Sequence, residues 1–263
     1  MAYILFALNF GINWCILFVV MAFALQHLHA TWTMAAVTTT AILIGIIIFF
    51  STVGIKYLRY GIPQRPLNQR EAAYLDPIIK EVFKKANINI PKIFIQDEQF
   101  PNAMVVGDAM ILTTGLLRVA NRNEVAAVIA HECGHIVNKD LTFASINYAT
   151  AKMSDIAIMA GIGFITIISL NGRIPFIYLP YIMIAGALKL VRWILLGIVD
   201  FASKFYHRKC EYDADSFAAS IGYRQATISY FNKLAELYPS VNKSSIFYTH
   251  PSLKKRIEAI ERA

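Results

Sequence analysis

Residues 121–138 read NRNEVAAVIAHECGHIVN, and this stretch decides how the rest of the chain is read. Asn121 can cap a helix, and Glu124, three positions on, can close a capping box. Val125, Val128, Ile129 and Ile136 recur at the spacing of one buried helical face. His131 and His135 are four apart, so both imidazoles leave the same face one turn apart, where a single zinc ion can accept both. Glu132, beside His131, is placed to take a proton from a water molecule without itself being a ligand. Cys133 projects to another side of the helix from both histidines, which argues against a thiol nucleophile. Gly134 leaves room for a neighbouring element to come close. The pattern is H-E-x-x-H.

Around this helix the composition is that of a membrane protein carrying a modest polar domain. Of 263 residues, 57% are hydrophobic, against about half in soluble domains, and the surplus lies in a few long apolar runs. The net charge of +8 is explained by Lys and Arg flanking membrane spans. No basic-aromatic module accompanies it, so a nucleic-acid partner is not expected. Cys15, Cys133 and Cys210 form no disulfide framework, and free thiols near a metal site fit a reducing compartment.

Tyr3–Leu25 is long enough to cross a bilayer and lacks a basic leader and a cleavage site, so it reads as a retained span. Residues 26–32, QHLHATW, form a turn whose His27 and His29 read as solvated. Thr33–Ile55 is a second span. Lys56, Arg59, Arg65 and Arg70 follow at once, whereas the turn has no Lys or Arg, which places the chain from Lys56 onward in the cytoplasm. Glu71–Lys85 is expected as a helix and Lys92–Gln96 as a strand. Ala103–Val106 and Met110–Thr113 read as a hairpin, and Leu116–Ala120 as a short helix.

Ile156–Leu170 is apolar but gives only about 22 Å of helix, short for a crossing. Phe176–Val199 is long enough, with Lys189 and Arg192 toward one end. A later metal ligand must lie on the same side as His135, so an even number of crossings is required, and a helical hairpin is expected here. Helices follow at Ala202–Ile221, stopped by Gly222, at Arg224–Tyr238 and at Ser252–Arg262. The organisation expected is a pair of transmembrane helices (1–55), the first part of a catalytic domain (56–154), a membrane-embedded hairpin (155–200) and the second part of the catalytic domain (201–263). The fold class is a mainly α membrane protein with four membrane helices and a zincin-like α+β domain holding a small sheet.

Two histidines do not complete a catalytic zinc site, which usually has three protein ligands and a water. Asp140 is too close in sequence to fold back easily as the third. The segment HRKCEYDAD, residues 207–215, offers His207, Glu211, Asp213 and Asp215. Glu211 and Asp215 share a helical face, which suits Glu211 on the metal and Asp215 accepting the free ring N–H of a ligand histidine. His207, one turn before Glu211, is the competing ligand.

Four motifs in order, HECGH at 131–135, EYDAD at 211–215 preceded by Arg208, PNAM at 101–104 and THPSLKKRI at 249–257, resemble the HtpX-type membrane zinc metallopeptidases. These are gluzincins and relatives of the CAAX prenyl endopeptidases. The two N-terminal spans and the apolar stretch between the zinc motifs are similar too, so the resemblance covers nearly the whole chain. It implies one zinc ion per chain on His131, His135 and Glu211, with Glu132 as general base and acid and Asp215 orienting a ligand histidine. It implies that Arg208 and Arg256 support the site and that His250 stabilises the oxyanion. It implies that Asn102 and Ala103 begin an edge strand to which an extended substrate adds, with Met104 shaping a pocket where the family commonly has an aromatic. His207 stands where the family often has Ser.

The activity implied is that of a zinc metalloendopeptidase cleaving membrane or misfolded proteins at the cytoplasmic face of a prokaryotic inner membrane, in stress response and quality control. Its partners would be protein or peptide substrates and the lipid bilayer; oligomeric state is not legible. The rival reading is an inactive zinc-binding scaffold or regulator, which would need a closed site with a fourth protein ligand.

Overall fold

The computed structural model describes residues 2–26, 31–54, 58–140, 146, 155–156, 159, 175–239 and 251–262. The turn with His27 and His29, nearly all of the 156–170 stretch and His250 lie outside the described residues. The chain divides into two compact units, Met1–Val53 with Phe143–Ser203, and Gly54–Thr142 with Lys204–Ala263.

The first unit is built on α1 (Ala2–Gln26) and α2 (Trp32–Phe49), the latter prolonged by a wide helical turn over Phe50–Gly54. Thr31 caps α2, its hydroxyl accepting the Met34 N–H. The run Thr38-Thr39-Thr40 does not break the helix. The Thr38 and Thr40 hydroxyls donate back to the Met34 and Ala36 carbonyls at 2.8 Å, the usual way such residues are accommodated inside a helix. Leu17, Ala35, Thr39 and Leu43 are buried, and the Trp14 indole N–H donates to the Thr40 hydroxyl at 3.0 Å. Trp32, Val37, Ile44, Ile48 and Phe49 are exposed, the arrangement expected of a surface facing lipid.

The Trp32–Val53 segment has 22 residues and a mean hydropathy of 2.2, about 33 Å of helix against a hydrocarbon core of about 30 Å. Among the described residues it is the one helix long and apolar enough to cross; the apolar run of α1 is Phe6–Val19.

The second unit carries the sheet. α3 (Gln69–Ala86) starts with a complete Asn68–Glu71 capping box and buries Leu75, Ile78, Ile79, Val82 and Phe83. β1 (Lys92–Gln96), β2 (Ala103–Val106) and β3 (Ala109–Thr113) assemble in the order β1-β3-β2. β2 and β3 form the expected hairpin, turned by Gly107 at φ 65°. β1 joins β3 in parallel, and β3, the middle strand, is buried along its whole length. Arg65 closes the outer margin of β1 through two backbone hydrogen bonds with Ile95, 2.8 and 2.9 Å. Its guanidinium forks onto both Glu71 and Asp97.

α4 (Thr114–Val119) leads into α5 (Arg122–Asn138), which packs against α3, β2 and α7 (Arg224–Leu237). α5 buries Val125 and Ile129 with Ala126, Ala127, Ala130 and Cys133. Small residues dominate this face, so the neighbouring backbones come close. α8 (Leu253–Arg262) packs on α7.

One expectation is corrected. The helix expected to begin at Ala202 is the later part of α6, continuous over Pro175–Ala218. Polarity changes at 200–202, but Asp200-Phe201-Ala202 contains no residue that stops a helix. The end is as expected: a wide turn over Ala219–Tyr223 holds Gly222 at φ 96°.

Candidate metal centre

The catalytic-type helix starts as its sequence dictates. The Asn121 side chain accepts the Glu124 N–H and the Glu124 carboxylate accepts the Asn121 N–H, both limbs of a capping box. Glu124 is also buried and accepts from the Ser229 hydroxyl and the Lys233 ammonium, which fixes α5 to α7. Burial alone would push this carboxyl up. The hydrogen bonds from Lys233, the Asn121 N–H and Ser229 outweigh it and hold the group below the usual carboxylate range.

Two turns on, His131 and His135 present their Nε2 atoms to each other at 3.1 Å. The Glu211 carboxylate, from α6, closes the group. Oε2 lies 3.7 Å from His131 Nε2 and Oε1 lies 3.9 Å from His135 Nε2. Tetrahedral donors about 2.0–2.1 Å from a zinc ion stand about 3.3 Å from one another, so the three side chains fit the ion with little adjustment. Among the described residues this is the set of three or more metal-ligating side chains that converges, with all ligand atoms within 4.8 Å. It offers three donors, not four, the count of a catalytic rather than a structural zinc. His207, the competing ligand, is half-buried beside the Tyr206 ring and is not in this set.

Gly134 allows the convergence. A Cβ there would meet the Ala214 Cα at 2.8 Å and its Cβ at 3.1 Å. α5 and α6 therefore touch backbone to backbone between the histidine pair and Glu211.

The ring nitrogens turned away from the centre are both held. His131 Nδ1 lies 2.9 Å from Asp215 Oδ1, and His135 Nδ1 lies 2.8 Å from Asp140 Oδ2. Each carboxylate accepts an Nδ1–H, which leaves the Nε2 lone pair for a metal. Asp215 is buried and clamped by Arg256 from α8, whose Nε and Nη2 each donate to it at 2.7 Å. Arg256 Nη1 also reaches Glu211 Oε2 at 2.9 Å, and the guanidinium lies 4.4 Å above the Phe231 ring. Burial would raise the Asp215 carboxyl, but Arg256 and His131 together hold it below its usual range.

Glu132 is buried, and burial pushes its carboxyl up against the opposing pull of the two histidines. The Val105 backbone N–H in β2 lies within hydrogen-bonding reach of it. Burial also drives the thiols of Cys133 and Cys210 up to about 12, so neither is a ready nucleophile at neutral pH.

β2 is an edge strand. Asn102 and Thr113 bond each other through backbone and hydroxyl, so the Asn102 backbone points into the sheet. By the alternation of an antiparallel pair, Ala103 and Val105 then turn their backbone groups outward. Met104, half-buried, pairs with Ile111. Arg208 lies one turn before Glu211, its guanidinium 5.7 Å over the Phe205 ring. His250 lies outside the described residues.

The fork of Arg256 across Glu211 and Asp215, and the return of Asp140 to His135, were not legible in the residues alone. The expectation that Asp140 is too close in sequence to fold back is corrected: it returns to His135 Nδ1, as an outer partner and not as a third ligand. The signal available was that five residues after His135 the helix has ended at Asn138.

A profile of peptidase family M48 matches residues 69–263. The protease HtpX homolog of Chlorobium phaeobacteroides is 30% identical over 227 residues, covering 78% of this chain and 73% of its own. Protease HtpX of Sodalis glossinidius is 29% identical over 227 residues, covering 75% of each. Among solved structures, Ste24p of S. mikatae superposes with a TM-score of 0.55 at 18% sequence identity. It covers 97% of this chain, which spans 63% of that structure. At that identity the likeness is one of fold.

Proposed function

The chain belongs to peptidase family M48, and on that premise we propose that it is an integral membrane zinc endopeptidase that cleaves membrane or misfolded proteins at the cytoplasmic face, in protein quality control. The observation that carries the reading is the convergence of His131, His135 and Glu211 on one point, with three protein donors and Glu132 beside them. An inactive scaffold with a structural zinc would close the site with a fourth protein ligand. The apolar Trp32–Val53 helix and the exposed apolar residues of α6 (Met183, Leu190, Trp193 and Ile198) support a place in the bilayer.

Four carboxylates, Glu132, Glu211, Asp215 and Asp140, surround the histidine pair against one guanidinium, so the centre favours a dication electrostatically. When bound there, zinc supplies the Lewis acidity that brings the pKa of water to about 7. The chain's own residues do the rest. An extended substrate adds to β2 by main-chain hydrogen bonds to Ala103 and Val105, which sets its backbone beside Glu132 without reading its sequence. Glu132 takes the proton of the attacking water and returns it to the leaving amine, the two halves of general base and acid catalysis. Asp215, clamped by Arg256, keeps His131 in the tautomer that donates through Nε2. His250 serves as the oxyanion donor, worth about 3 kcal/mol in comparable sites.

The test compares wild-type protein with Glu132→Gln, both purified with chelator and then given one equivalent of zinc. Expected is one zinc per chain in each, with efficient cleavage of an unfolded substrate and of the chain itself in the wild type alone. The rate should fall about 10²–10⁴-fold in the variant. Full cleavage by Glu132→Gln would refute the mechanism, and a wild-type chain that takes up no zinc would refute the metal centre.

A further inference from the structure

α5 ends at Asn138, and Lys139 takes a left-handed conformation, φ 58° and ψ 30°, with its N–H returned to the Ile136 and His135 carbonyls. That single turn reverses the chain and brings Asp140 back along the helix. Its Oδ2 lies 2.8 Å from His135 Nδ1, and its side chain is 14% exposed. Tyr206 and Cys210, one turn apart on α6, lie near the same carboxylate. Cys210 immediately precedes Glu211 in the chain.

The two histidines are thus supported in different ways. The partner of His131, Asp215, shares its charge with Arg256. Asp140 carries no such fork among the contacts described for it: it pairs with His135 and lies near Tyr206 and Cys210, with Lys209 acting on it through its charge. We propose that Asp140 is a positioning residue for His135: it accepts the Nδ1–H and so fixes the ring with Nε2 aimed at the metal point, facing Glu211 on α6. The inference rests on the metal-centre reading above and adds a residue to it. The geometry makes Asp140 a support rather than a fourth donor, because its oxygen approaches the ring nitrogen on the side away from Glu211.

The test measures metal binding, not turnover, on the full-length chain in detergent. Zinc affinity is read by competition with a chromophoric chelator, and the environment of the metal by the visible absorption of the cobalt-substituted protein. Asp140→Ala is expected to weaken zinc about 10–100-fold, the range for removing such outer partners, and to shift the cobalt bands. Asp140→Asn, which keeps an acceptor oxygen in place, is expected to recover part of that loss. Asp140→Leu, which has the same heavy-atom count and branching but no acceptor, is read in place of alanine where alanine loosens the turn. Wild-type affinity and an unchanged cobalt spectrum in a variant without an acceptor would overturn the proposal. So would an asparagine variant as weak as the alanine or leucine one. If the unmutated chain itself bound no zinc, the metal-centre reading would fall instead, so the two failures are told apart by the control.

Discussion

Gly134→Ala tests whether the approach of α5 to α6 sets the metal point. The added Cβ would lie 2.8 Å from Ala214 Cα, 3.1 Å from its Cβ and 3.2 Å from its O. Ordinary carbon contacts fall at about 3.5–4.0 Å, so the two helices must part locally by about 0.7 Å. Two energies oppose each other. Replacing a mid-helix glycine gains about 1 kcal/mol in propensity, while overpacking costs about 1–3 kcal/mol. Net destabilisation of about 0–2 kcal/mol follows, a small change in melting temperature.

The effect on the site is larger than the effect on the fold. Ala214 is one turn from Glu211, and functional geometry tolerates only about 0.5 Å of displacement. A shift approaching 1 Å costs about 10²-fold in activity. The assay pairs a thermal melt of zinc-free protein with chelator competition and cleavage rate. Expected is a near-native melt with zinc affinity and rate each reduced about 10–100-fold. Adding Ala214→Gly removes the Cβ clash but leaves the Cα and O, so the double variant should recover only in part. Wild-type zinc affinity and cleavage in Gly134→Ala would refute the argument that this contact positions Glu211.

Arg256→Met leaves the buried Asp215 and Glu211 carboxylates without their cation, and should destabilise the zinc-free protein by about 3–5 kcal/mol in denaturant melts. Arg256→Lys should recover little, because an ammonium cannot span both carboxylates as the fork does. The Glu124 carboxyl is held below its usual range in the folded chain, so its contribution is fully present above the unfolded value of about 4.3. It is lost as pH falls through the lower, folded value. Melting temperature should therefore drop on acidification below about pH 4.3, and Glu124→Gln should lower the neutral-pH melt and flatten that slope. Lys139→Gly relieves a left-handed backbone that costs other residues about 1–2 kcal/mol, less about 0.5–1 kcal/mol of extra chain entropy. Stability raised by about 0–1.5 kcal/mol at unchanged zinc affinity is expected.

What could be read from the residues was local. The α5 helix announces itself through Asn121 and Glu124, because a capping box is complete within four residues. The strands Lys92–Gln96 and Ala103–Val106 are short apolar runs bounded by turns. What could not be read depends on partners far apart or on backbone choices that side chains do not advertise. The parallel pairing of β1 with β3 joins segments whose intervening loop carries no pairing signal. Lys139 in a left-handed turn is unusual for that residue type, and Asp140 reaches His135 only because of it. Arg256 is one of several basic residues on its helix, and its fork across two carboxylates appears only once α8 is packed. The unbroken α6 is not legible because polarity changes at 200–202 while helix propensity does not.

The sheet has two margins, and they are treated differently. One is sealed, by the backbone of Arg65 laid against Ile95 and by a guanidinium riveted to carboxylates on either side. The other, β2, has no strand paired to its outer edge among the described residues. Among the described residues, then, the substrate proposed above finds one open margin for main-chain pairing, on the strand that packs against α5. To use it, the visitor must arrive with its own amides unpaired. Selection at this protein would then turn on whether a polypeptide has lost its secondary structure, with side-chain identity a secondary consideration.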